Sequence, residues 1–110
     1  MITTHIRLGQ KKKGKLYWMH IIAEEHDGRD CWPETFTPTG RSSRATKFKY
    51  LASAKSALER ARNCKDFYHD TLSVDEPGYN DRSLKFARAD WRCYKVTVEE
   101  TYEELVSDNQ

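Results

Sequence analysis

The chain has 110 residues, 33% charged, 37% apolar and 12% aromatic, with a formal net charge of +2. That length fits a single domain over residues 1–110, and the thirteen aromatics (four Phe, three Trp, six Tyr) give large burial areas to a modest core. No apolar run approaches the ~20 residues of a membrane-spanning helix, and the N-terminus has no secretory h-region. Three unpatterned cysteines make no disulfide framework, so the expectation is a cytoplasmic chain with reduced thiols and no membrane contact.

The small net charge hides a division. Residues 1–65 carry fourteen Lys+Arg against six Asp+Glu, whereas residues 66–110 carry five against eleven. This is the pattern of a molecule with a basic and an acidic part.

In chain order, residues 2–8 alternate weakly, with Ile6 and Leu8 opposite His5 and Arg7, and predict a strand near an edge. Gly9 to Gly14 is polar and bracketed by glycines, which predicts a hairpin loop carrying Lys11, Lys12 and Lys13. Lys15 to Glu25 is apolar on both faces, with Leu16, Trp18, His20 and Ile22 opposite Tyr17, Met19, Ile21 and Ala23. Such a strand is central, one face meeting a helix and the other needing cover. His26 to Gly40 holds Asp27-Gly28 and two prolines, and predicts a long loop bearing Trp32 and Phe36.

The chain's strongest local signal runs from Arg41 to Lys65, with eight basic residues against Glu59 alone. Thr46, Phe48 and Tyr50 alternate with Lys47 and Lys49, which predicts a strand with the lysines outward. Ala54, Ala57, Leu58 and Ala61 then recur at helical spacing, with Ser53 as N-cap and Asn63 at the stop. Residues 66–82 are irregular, with a turn at Pro77-Gly78. Ser83 to Ala89 predicts a strand or a short helix. Trp91 to Glu100 predicts the last strand, with Tyr94, Val96 and Val98 opposite Cys93, Lys95, Thr97 and Glu99. The acidic tail, from about residue 101, adds a helical turn on Leu105 and Val106 or frays.

The expected fold is α+β: an antiparallel sheet of four or five strands with one principal helix packed on one face. This order of elements resembles small sheet-reading DNA-binding domains, at the level of architecture alone.

Three constellations bear on function. Lys11, Lys12 and Lys13, with Arg41, Arg44, Lys47, Lys49, Lys55 and Arg62, are candidate phosphate contacts, because each cation on a phosphate displaces condensed counterions. Tyr17 and Trp32 are candidate stacking residues, and Trp32 and Phe36 candidate anchors for a partner. His26, Cys31, Cys64 and His69 form two mirrored pairs with N and S ligands, but the short grips of zinc sites are missing, so no metal or other cofactor is expected. No nucleophile–base signature or phosphate-cradling glycine loop is present, and Glu24 and Glu25 point to opposite faces of a strand, so an enzyme is not expected.

The leading expectation is a non-enzymatic module binding DNA or RNA through the strand–helix unit and the lysine loop. The alternative is a protein–protein module, such as a phage or mobile-element inhibitor of a host protein. An exposed second sheet face would also suit a homodimer.

Overall fold

The structure, a computed structural model, describes residues 4–23, 34–63, 70–81, 83–97 and 102–105. Among these residues, five strands form one antiparallel sheet in the order β3-β2-β1-β4-β5. They are β1 (Thr4–Lys12), β2 (Lys15–Ala23), β3 (Glu34–Thr39), β4 (Arg92–Thr97) and β5 (Tyr102–Glu104). One long helix, α1 (Leu51–Asn63), packs on one face. The α+β fold and the interior place of the apolar strand β2 follow the sequence pattern, but β1, predicted near an edge, is the middle strand of the sheet, paired with β2 on one side and β4 on the other.

The helix is seated by its small side chains. Ala54, Ala57, Leu58 and Ala61 are its buried residues, and three alanines in the stripe let the helix axis lie close to the sheet. They pack with Leu8, Met19, Phe36 and Cys93 from the strands. Phe86 stacks on Trp91 at 5.8 Å and meets Tyr17 edge-on at 5.2 Å, closing the same core from the side. At the end of α1, Arg62 Nη2 donates to the Trp91 carbonyl at 2.6 Å, tying the helix to the start of β4.

The other face holds a second cluster of Trp18, Ala45, Tyr94 and Val96, all buried. A homodimer argued from an open apolar face does not apply to these residues, because the chain covers them itself. Gly9 lies beneath the edge-to-face pair of Trp18 and Tyr94, whose centroids are 5.9 Å apart. A Cβ there would meet both rings at 3.0 Å. This glycine therefore serves close approach within a strand and not the predicted turn.

The hairpin loop is accordingly two residues, Lys13 and Gly14, between Lys12 and its partner Lys15. Both have positive φ, 52° and 78°, as a twist-matched hairpin turn requires.

Four predicted segments differ. Within the predicted long loop, Glu34–Thr39 pairs with β2 as an edge strand, where the missing N–H of Pro38 is tolerated. Thr46 to Tyr50 is not a ladder strand but makes a single bridge, Phe48 with Ile6, while Thr46 N donates to the Met19 carbonyl. The β1–β2 pairing register runs only from Gly9–Trp18 to the hairpin, and residues 46–48 hydrogen-bond to both strands beyond it. Ala45 belongs to the Trp18 cluster, and Phe48 and Leu51 pack on the helix-side core. The chain thus passes between two diverging strands from one sheet face to the other.

Ser83 to Ala89 forms neither strand nor regular helix, apart from a 3-10 turn at Arg88–Asp90. The tail segment Tyr102–Glu104 pairs with β4 and is a strand, not a helical turn. Ser53 lies inside the helix, which begins two residues earlier, at Leu51, and so is not its N-cap.

Candidate nucleic-acid interface

The structure divides the predicted cations into groups with different surroundings. The first is built on the acidic turn Val74–Glu76, which docks against the end of β3. The Glu76 side chain is 1% exposed. It accepts hydrogen bonds from Thr39 Oγ1 at 2.9 Å, Gly40 N at 3.0 Å and Arg44 Nη1 at 3.0 Å. A buried carboxylate is stable there because donors and a cation replace its water. Arg44 Nη2 reaches Asp75 at 2.8 Å, and Arg41 Nη2 donates to the Asp75 carbonyl at 2.7 Å. The hydrogen bond from Arg44 holds the Asp75 carboxyl below its ordinary pKa, and the same pair raises that of Arg44. Arg41 and Arg44 therefore fasten the chain's basic part to its acidic part.

The second group is the hairpin tip. Lys11 and Lys13 are exposed and Lys12 is half-buried. Lys13 Nζ lies 2.7 Å from Asp81, which also accepts from Ser83 N and Oγ. Lys13 is the chief cause, with Ser83, that lowers the Asp81 carboxyl to about 2. One of the three loop lysines is thus already neutralised.

The third group sits where the chain emerges from between β1 and β2. Lys47 and Lys49 are both exposed, and among the described residues neither has a carboxylate partner. Tyr50, which the alternation predicts to be inward, is 62% exposed. Lys49 Nζ lies 5.5 Å from its ring centroid, within cation–π range. Lys55 follows on α1, half-buried, and the first turn of the helix holds no acidic residue. Lys47 and Lys49 therefore present positive charge that no carboxylate among the described residues offsets.

The two lysine groups are separate. Phe48 bridges Ile6, and Lys12 lies six residues further along β1, about 20 Å away at the rise of a strand. Arg62 belongs to neither group, being half-buried and bonded to the Trp91 backbone.

The predicted aromatic contacts fare differently. Tyr17 is 6% and Phe36 1% exposed. Both are core residues, so neither presents a ring face for stacking or an anchor for a partner. Alternation on a two-faced strand does not say which face lies open, and Phe36 sits in edge strand β3, whose Pro38 reads in sequence as a loop signal. Trp32 lies outside the described residues, as do His26, Cys31, Cys64 and His69 of the zinc constellation. Among the described residues no group of His, Cys, Asp and Glu could hold a metal ion. His20 is held by its Nδ1–H, which donates to the Arg44 carbonyl at 2.6 Å. No described helix is long and apolar enough to cross a membrane.

Comparison with protein-family models, with curated proteins and with solved structures finds no match. The residues alone carry the functional reading.

Proposed function

We propose that this protein is a nucleic-acid-binding module whose primary contact is the surface of Lys47, Lys49 and Lys55 beside Tyr50, with Lys11 and Lys12 of the hairpin as a second phosphate contact. The supporting observation is that Lys47 and Lys49 are exposed without a carboxylate partner among the described residues, whereas Arg41, Arg44 and Lys13 are engaged. Uncompensated lysines are the groups that release counterions from a phosphate backbone. A span of about 20 Å between the two lysine groups suits an extended ligand.

Titrating a labelled oligonucleotide by fluorescence anisotropy tests this. Affinity should fall linearly on a log–log plot between about 50 and 200 mM salt. Absence of binding to any strand at the lower salt would end the proposal.

A second reading, a protein–protein module, draws on a different surface. Val74 and Tyr79 are exposed apolar residues flanking Asp75 on the docked acidic turn. Exposed aromatics beside charge are common interface anchors. That surface would bind with weak salt dependence and would be insensitive to Lys47 and Lys49.

A further inference from the structure

Resting on that reading, we infer that the Lys47–Lys55 surface takes a single strand with unpaired bases, and that Tyr50 is the platform on which one base stacks. Four observations converge on this. Tyr50 is 62% exposed, while its neighbour Phe48 packs against the core. An aromatic left in water at the edge of a core carries a free π-face. Lys49 stands over the Tyr50 ring with its ammonium 5.5 Å from the centroid. This occupies one face of the ring and places a charge where a phosphate flanking a stacked base would lie. Lys47, two residues back in the bridging segment, is exposed and offers a second phosphate contact.

The neighbouring helix face does not favour duplex. Ala52, Ser53 and Ser56 present short side chains, Glu59 is exposed in the middle of that face, and Arg60 Nη1 donates to Ser56 at 2.9 Å. A helix reading the major groove projects long donors to base edges. Here the large exposed apolar group is the Tyr50 ring, and a ring finds a partner only when a base face is free. Stacking of this kind tolerates any base, so the ligand class is single-stranded DNA or RNA without strong sequence preference.

Four probes of equal length test this by anisotropy at low salt: oligothymidine, oligouridine, an abasic deoxyribose strand and a duplex. Oligothymidine and oligouridine should bind about tenfold more tightly than the abasic strand. The duplex should show no such advantage over the abasic strand. Tyr50→Ala should remove the advantage, and Tyr50→Phe should keep it, since the ring and not the hydroxyl is used. Tyr50 is exposed, so both variants should fold, which circular dichroism would check. Equal binding of all four probes, or no effect of Tyr50→Ala, overturns the stacking inference and leaves the phosphate reading standing. Failure of every probe to bind removes both. A preference for thymidine or uridine alone names the source, DNA or RNA.

Discussion

Arg41 and Arg44 stand only a few residues before Lys47 and Lys49, yet the two pairs do different work. The arginines are spent internally: Arg44 bridges Asp75 and Glu76, and Arg41 holds the Asp75 carbonyl. Their guanidinium forks match carboxylate and carbonyl geometry, which suits a fixed, partly dehydrated junction. The lysines are exposed, and among the described residues no carboxylate answers them. A run of basic residues in a sequence is therefore not one surface. What separates its members is which of them an acidic turn distant in sequence reaches.

The largest expected effect concerns the fastened region. Glu76→Ala removes the acceptor of three hydrogen bonds and leaves Thr39 Oγ1 and Gly40 N without it. Urea denaturation should show a loss of about 2–3 kcal/mol. Oligonucleotide affinity at a temperature where the variant is folded should stay within about twofold of the parent. A large loss of binding with folding intact would break the comparison.

The open region should behave in the opposite way. Lys47→Glu with Lys49→Glu should weaken oligonucleotide binding at low salt by at least about tenfold and reduce the log–log salt slope by about 1.4–2 units. Stability in urea should change by no more than about 0.5 kcal/mol, as for exposed substitutions.

A smaller effect is expected at Arg41, whose contact with the turn is exposed. Arg41→Ala should leave binding within about twofold and alter stability by no more than about 1 kcal/mol. A loss of binding equal to that of the lysine variant would merge the two regions into one surface.

The smallest effect lies at the hairpin tip and depends on pH. Asp81 is held at about 2, chiefly by Lys13 and then by Ser83. Its folded value is below that of an unfolded chain, so its stabilising contribution is complete above about pH 4 and is lost as pH falls toward 2. In acid titrations followed by circular dichroism, Asp81→Asn should flatten the stability profile across that window. Asp75, lowered by Arg44, adds to the same acid limb.

Much of the fold was legible in sequence because two simple periods carry it. The stripe Ala54, Ala57, Leu58 and Ala61 is the buried face of α1, and the apolar Lys15–Ala23 run is the interior strand β2. Other features depend on distant neighbours. Gly9 looks like a turn, but the Trp18 and Tyr94 rings over it explain the glycine. Pro38 argues against a strand except at an edge, and edge position is a property of the assembled sheet. The alternation of Thr46 to Tyr50 is real up to Phe48. There the chain leaves the gap between β1 and β2 for the helix, and Tyr50 turns outward. The basic character of the site was likewise visible, but its division was not, because Asp75, Glu76 and Asp81 lie more than thirty residues from their partners in sequence.

The most direct measurement is the salt dependence of single-strand binding by the parent and by the Lys47→Glu, Lys49→Glu variant in parallel. The account predicts micromolar or tighter binding by the parent with a slope of several units, and a marked loss of both affinity and slope in the variant. Identical curves for the two proteins would show that the exposed lysines are not the phosphate contact and would contradict the account.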